Sequence, residues 1–437
     1  MKDLNRFQLI VLAVFLVAGI AGVVVVATSH YGGSNKGTGR AFASPVVVWG
    51  TLDRGSMDAV LTHLQTDLGE NFFDVSYVQK NDTTFESELV EAIASGVGPD
   101  LVLLPQDAIL KEKNKLFITP YASFSERTFR DQYVDEGELY LSPGGIFAFP
   151  FSINPLVMYW NRDLFASAAQ ASPPRYWDEF YTLSPLITKR DLAGNVARSA
   201  VALGEYVNVS HAKELLSALM RQAGNPLVTT EGGKAHSVLL EKRGLASLPV
   251  EAAVRFYVDF SDPVKPFYSW NRSLASSKEA FISGDLATYF GFAGEIDELR
   301  GKNPNLNFDL ALLPQTRDAN TKTTFGKLYG IAILKGTKNL QDAFFTATTL
   351  AGKNGVQYWI DSTNLPPVRR DLLGVKPTDA YKPVFYDSAV MARAWLDPDP
   401  LQTEGIFRRM VESSGSGKAR ISEAVDRANS ELTELFK

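Results

Sequence analysis

At 437 residues, 45% of them hydrophobic and 21% charged, the chain is long enough for two domains and a large core. A net charge of −5 leaves no basic footprint for nucleic acid. The absence of cysteine excludes disulfides, thiolate metal sites, cysteine nucleophiles and a lipoprotein anchor. The four histidines (His30, His63, His211, His236) lack metal-ligand spacing, so neither a metal nor a cofactor is expected.

Residues 7–27 are apolar apart from Gln8, and about 20 residues at helical rise cross a bilayer core of ~30 Å. Lys2 and Arg6 precede this run. Residues 1–6 are therefore expected in the cytoplasm, 7–27 as one transmembrane signal anchor, and everything after it outside the cytoplasm. Ala41-Phe42-Ala43 fits a small-x-small cleavage pattern but lies far beyond the apolar run, which favours an anchor that is kept. Residues 28–44 are Gly/Ser-rich and aperiodic, a flexible tether expected to carry no core residue.

The body opens with a β-α-β-α-β rhythm. Residues 46–49 (VVVW) read as a buried strand, 50–55 as a loop into a helix, and 73–78 as the next strand. Thr83-x-x-Glu86 predicts a capping box for a helix through Phe85, Leu89, Ala92 and Ile93 that stops at Gly96. Residues 100–104 (DLVLL) read as a buried parallel strand. This rhythm predicts a doubly wound sheet with ligand groups at the carboxyl ends of strands. Those ends carry Trp49, Thr51, Asp53, Pro105, Gln106 and Asp107.

Residues 145–165 (GIFAFPFSINPLVMYWNRDLF) hold two β-prone runs, 146–149 and 155–160, separated by Ser152 and Asn154. Pro150 and Pro155 each lack a donor and push the preceding residue toward extended geometry. Two readings stand: a crossing from one lobe to another with a strand that starts afresh, or two strands of one sheet with a kinked connection. Beyond it the pattern turns more helical, with Ser210 as a cap for a helix to Gly224 and another helix over 250–260. Residues 267–272 (FYSWNR) read as a loop with exposed aromatics, and 286–290, 308–313 and 325–334 as strands. Past Lys338 helices dominate, with Pro366-Pro367 as the main break.

SGVGP before the third strand, then AFPFSINPLVMYWNRDLF, PPRYWDEF, SWNRSLASSKEAFISGDLATYFGFAGEI, NFDLALLPQ and GKLYGIAIL occur in order along the chain. Together they resemble the family 1 extracellular solute-binding proteins, the maltose-binding-protein-like receptors of ABC importers. The resemblance implies an α/β, two-lobed periplasmic-binding-protein type 2 (Venus-flytrap) fold, here preceded by the transmembrane helix. Lobe I would be residues 45–150 and 330–375, and lobe II residues 151–329 and 376–437. The chain would cross near 149–154, return near 327–332 and cross again within 372–381.

The implied function is that of a membrane-anchored, monomeric receptor. It would close on a mono- or oligosaccharide and deliver it to the permease subunits of an ABC importer. Sugar sites pair aromatic faces with carboxylates and amides. Matching positions are Trp49, Thr51, Asp53, Gln106 and Asp107, then Ser152 and Asn154 in the hinge. In the second lobe they are Glu205, Tyr206, Asn208, Trp270, Asn271, Arg272, Phe292, Glu295 and Trp395. Trp270-Asn271 stands out, because a tryptophan beside polar loop residues has little reason to be core. Trp177 and Trp359 read as core. Asp53 reads equally as an acceptor at a helix start. Arg272 departs from the sugar-binding pattern and suits an acidic sugar or a phosphate. The rival classes are a sensor or adhesive surface protein, and a retaining glycosidase drawing on Asp53, Asp107 and Glu295, whose sequence context marks no acid/base pair.

Overall fold

The computed structural model describes residue 42 and residues 44–69, 73–317 and 321–437. The cytoplasmic segment 1–6, the expected anchor 7–27 and nearly all of the tether lie outside the described residues. Among the described residues no helix is long and apolar enough to cross a membrane. Phe42 corrects the expectation that the tether is free of core contacts. Its ring lies 6.2 Å from Phe73 and 6.0 Å from Phe345, packed against the first core.

The strands are β1 (Val46–Gly50), β2 (Val75–Gln79), β3 (Leu101–Pro105), β4 (Leu116–Phe117), β5 (Leu141–Ser142), β6 (Gly145–Ile146) and β7 (Phe149–Asn161). They continue as β8 (Lys189–Arg190), β9 (Val196–Val201), β10 (Val228–Glu231), β11 (Lys234–Ser237), β12 (Leu286–Phe292), β13 (Phe308–Ala311) and β14 (Gly326–Leu334). The main sheet runs β2-β1-β3-β14-β7-β12-β9-β8, with β4 added to β14 and β13 to β7. β1 pairs in parallel with β2 and β3, as the opening rhythm predicts.

Helix Arg54–Leu68 starts at Asp53 and buries Met57, Val60, Leu61 and Leu64, an i, i+3, i+4, i+7 stripe. Two expected caps are not formed. The Thr83 hydroxyl turns back to Asn81 Oδ1 at 2.7 Å, leaving helix Phe85–Ala94 without a side-chain cap. Helix Ala212–Gln222 starts after His211 rather than on Ser210, and His211 takes the left-handed conformation at φ 59°.

β7 is one continuous strand, so the fresh start expected after its prolines does not occur. Its first half pairs with β14, from Phe149↔Ile331 to Pro155↔Gly326. From Leu156 onward it pairs with β12 and β13 instead. The prolines fit because neither breaks a ladder that needs its N–H. Pro150 sits where β14 shifts register between Tyr329 and Gly330, and Pro155 sits where the strand changes partner.

The core divides at the same place. One cluster holds apolar side chains from Val46 to Ile153 and again from Leu328 to Ala392. The other runs from Leu156 to Phe325 and includes Phe385 and Ala394 to Leu432. The result is the two-lobed α/β fold, with β7, the start of β14 and the chain around 392–394 passing between lobes.

Candidate functional site

The carboxyl ends of β1 and β3 and one face of β14 form the first lobe's side of the cleft. Lys327 and Tyr329 flank the fully buried Leu328 on β14, so strand alternation turns both toward the cleft. Asp107 follows β3 in a short 3-10 turn. Burial raises the Asp107 pKa, opposed by Lys327 on its own lobe and by Lys213 across the cleft. Lys327 is half-buried, which disfavours its charge, but Tyr329, Asp107 and Asp82 together raise its pKa. Among the described residues neither Asp107 nor Lys327 is closed into an ion pair. The Lys327 ammonium lies 5.6 Å from the Tyr329 ring centroid, and it and the Asp107 carboxyl each favour the other's charge.

Trp49 is half-exposed at the end of β1, but one face of its ring is covered. Lys80 Nζ lies 3.7 Å from the ring centroid and 2.8 Å from Glu88 Oε2. Asp53 Oδ2 accepts from Ser56 N at 2.8 Å and Ser56 Oγ at 2.9 Å, and these bonds lower its pKa. Asp53 is the helix N-cap. Next to it, Arg54, Tyr77, Gln79 and Lys80 line a cavity of about 510 Å³.

The second lobe holds a cavity of about 410 Å³ lined by Tyr206, His211, Glu214, Glu404 and Arg408, among others, and Glu214 is near enough to raise the Asp107 pKa. The Tyr206 hydroxyl is buried with no hydrogen bond of ordinary geometry and lies against Glu404. His211 is oriented from behind, its Nε2 2.6 Å from Glu295 Oε1. Glu295 also accepts from Phe292 N at 2.8 Å and Tyr289 Oη at 2.6 Å, and pairs with Lys278 at 2.8 Å. Burial works against its ionisation, but His211, Lys278 and Tyr289 hold its carboxyl at about 2. An acid of that strength donates no proton near neutrality, which removes Glu295 as a glycosidase acid. The lobes touch where Lys111 of the first reaches Asp399 of the second at 3.8 Å, and where Asn364 Nδ2 donates to Asp297 at 2.7 Å.

Several expected site residues are instead structural. Trp270, expected in an exposed loop, is 1% exposed inside the second core. Its Nε1 donates to Asn208 Oδ1 at 3.1 Å, so the polar neighbours serve the indole from within. Asn208 also donates to Asn271 O and Leu274 O, and Asn271 Oδ1 accepts from Ser273 N. Trp395 is buried too, stacked on Phe407 and donating to Ser217 Oγ at 3.1 Å. Gln106 Oε1 accepts from Leu328 N, Ser152 Oγ accepts from Trp359 Nε1, and Phe292 is a core ring. Arg272 is engaged by Glu205 at 3.0 Å, which weakens the suggestion of an acidic ligand. Asn154 ties the hinge to the second lobe, accepting from Gly294 N at 3.0 Å.

Of the expected set, Trp49, Thr51 and Asp107 stay part-exposed and Tyr206 lines the second-lobe cavity. Lys327 and Tyr329 on β14, and His211, Glu214, Glu404 and Arg408 around that cavity, are candidates that sequence reasoning missed. The polar-apolar-polar order of Lys327, Leu328 and Tyr329 was the available signal for two of them.

A family profile described as bacterial extracellular solute-binding protein matches residues 65–383. A protein of Brucella abortus (strain 2308), described as a candidate binding protein, is 20% identical over 293 residues, 65% of this chain and 66% of that protein. The match thus spans just under two thirds of that relative's length. Among solved structures, a cyclic alpha-maltosyl-1,6-maltose binding protein from Arthrobacter globiformis superposes with a TM-score of 0.74 at 16% identity, covering 90% of this chain and 99% of that one. A cyclo/maltodextrin-binding protein complexed with maltotetraose gives 0.70 at 16% identity, with 90% and 97% covered. An ABC transporter solute-binding protein from Thermotoga lettingae bound with alpha-D-tagatose gives 0.66 at 18% identity, with 90% and 100% covered.

Proposed function

Since the chain belongs to the bacterial extracellular solute-binding proteins, we propose that it captures a neutral carbohydrate between its lobes and delivers it to an ABC importer. It acts as a receptor and not as an enzyme. The observation that carries this reading is that Asp107 and Lys327, both part-buried on the first lobe, are in no ion pair among the described residues, while the second lobe has the Tyr206 cavity. Sugar hydroxyls donate to Asp107 and accept from Lys327, replacing lost water without adding charge. The sugar-bound neighbours support the same class. Lobe closure would turn on β7 between Ile153 and Leu156, on the start of β14 and on residues 392–394. Residues 7–27 would stay as the membrane anchor, and an isolated mature protein beginning at Ser44 would remove that part of the reading.

A melting-shift screen with maltotetraose, tagatose, glucuronate and glycerol phosphate tests the ligand class. At 100 times Kd a ligand stabilises by about 2.7 kcal/mol, which for lobes of this size raises Tm by roughly 5–10 °C. A shift with a neutral saccharide, without hydrolysis products, is expected. A shift with the anionic compounds alone would overturn the neutral class, and sugar hydrolysis would overturn the receptor role.

A further inference from the structure

The carboxyl of Glu136 is sealed where the lobes meet and has no partner of its own. It belongs to the 3-10 turn Asp135–Tyr140 of the first lobe, is 2% exposed, and neither of its oxygens makes a hydrogen bond of ordinary geometry. Three distant segments close over it. β14 begins there at Gly326, where a Cβ would overlap the Glu136 carboxylate and stand 2.7 Å from the Ala392 methyl. The chain then passes between cores, Ala392 packing in the first and Ala394 in the second. Helix Ala212–Gln222 of the second lobe supplies Arg221, whose Nη2 donates to Ala394 O at 3.0 Å.

The charged groups facing Glu136 are the guanidiniums of Arg393, from the crossing segment, and Arg221, from the second lobe. The Ala394 N–H approaches as well. β14 presents only Gly326. Within its own turn lie Tyr140 and Asp135, the latter already bridged to Arg370 and Arg393.

Buried neutral, such a group costs far less than it does ionised, when it loses the hydration of a full charge that no hydrogen bond replaces. Burial pushes its pKa up to about 8, against the pull of Arg393 and Arg221. The same surroundings bring Arg221 down to about 10, through burial and the neighbouring Arg393.

We propose that Glu136 is a proton-controlled latch of the hinge, protonated while the lobes hold the arrangement seen here and giving its proton to water when they turn apart. The turn carrying Glu136 and the helix carrying Arg221 sit on different lobes, so rotation about the crossings slides one past the other and admits water. By linkage, the arrangement that binds the proton more tightly gains population as pH falls. Acidification therefore draws the lobes together, and solute affinity should follow. The latch needs only the two-lobed hinge, so it is testable without solute.

The chain has no cysteine. Val97→Cys on the first lobe and Val264→Cys on the second, 72% and 87% exposed, therefore accept a dye pair on the full chain. Energy transfer measured from about pH 4 to 9.5 should show the separated population growing as pH rises from about 4.5 and levelling off above about 8. Glu136→Gln in the same labelled chain should give a flat profile at high transfer. Arg221→Met removes one of the two opposing cations and should move the pH at which the profile levels off up by roughly half a pH unit or more. A flat profile in the labelled parent, or an unchanged transition in Glu136→Gln, overturns the latch. Should Glu136→Gln fail to fold, an unmoved upper end of the profile in Arg221→Met overturns it alone. Loss of far-UV circular dichroism over the same range would mean unfolding, and would also count against it.

Discussion

Two glutamates lie deep in this protein and are treated in opposite ways. Glu295, on the cleft side of the second lobe, accepts from a backbone N–H and a tyrosine, lies 2.6 Å from a histidine nitrogen and pairs with a lysine, and is held at about 2. Glu136, at the junction of the lobes, has no hydrogen bond of ordinary geometry and is pushed up to about 8. Burial works against the charge in both. The difference lies in the donors, and the donors follow from how each site is assembled. Phe292 N and Tyr289 lie three and six residues from Glu295, so one strand end brings them together. The surroundings of Glu136 come from Arg221, Gly326 and Arg393, which lie 85, 190 and 257 residues further along the chain and must also slide if the lobes move. A satisfied network makes a lobe rigid, and an unsatisfied one suits a place where the structure has two arrangements.

If the second lobe is rigid because its polar groups are served from within, its tryptophan should behave as core. Trp270→Ala empties a buried indole site and strands Asn208 Oδ1, and should cost about 3–5 kcal/mol in denaturant unfolding. The opposite result, near-parent stability with weakened sugar binding, would return Trp270 to the cleft and undo the contrast between lobe and junction.

Glu295 itself gives the next largest effect. Glu295→Ala leaves His211 and the Tyr289 hydroxyl without an acceptor, while Lys278 keeps Glu298 at 2.9 Å, so about 2–3 kcal/mol should be lost at neutral pH. The carboxyl is lower in the folded chain than its ordinary 4.5. Its contribution is thus fully present above about 4.5 and disappears as pH falls toward 2. Each pKa unit is worth ~1.4 kcal/mol, so the parent should lose roughly 3 kcal/mol across that window through this group. The variant should show a shallower acid limb. Parallel acid limbs would mean that the donors do not hold the charge.

The same distinction explains what could be read from the sequence. The opening β-α-β-α-β unit was legible because its periodicity is local, and the family resemblance supplied the two-lobed architecture. β9 and the β10–β11 hairpin were missed, lying in a region whose helices dominate the pattern. β7 was read as interrupted because Pro150 and Pro155 forbid ladder bonds in general, whereas here each falls where no bond is required. Trp270 misled because polar neighbours signal solvent unless they are folded inward onto the indole. Glu136 gave no signal at all: nothing around Asp135 and Glu136 indicates that Gly326, Ala394 and Arg221 will close over them.

The smallest expected effect is at the junction, and its smallness is the informative part. At pH 6.5 Glu136 is mostly protonated, since its pKa stands at about 8. Glu136→Gln exchanges one neutral planar group for another of nearly equal volume in the folded chain, so below about pH 4.5, where the unfolded chain holds the proton as well, it should change stability by less than about 1 kcal/mol. The sign at higher pH follows from the raised pKa. The parent's folded state keeps a proton that the unfolded chain, titrating near 4.5, has already lost. The parent therefore loses stability as pH rises from about 4.5 to 8, and above that the buried carboxylate remains as a fixed cost. The amide has no such dependence, so the two unfolding curves should diverge as pH rises from about 4.5 to 8, with the variant becoming the more stable protein within that window. This is the reverse of Glu295, where replacement harms most at neutral pH and least in acid. A Glu136→Gln protein that lost several kcal/mol at pH 6.5 would mean the carboxyl is ionised and paired in the folded chain, making the two glutamates alike.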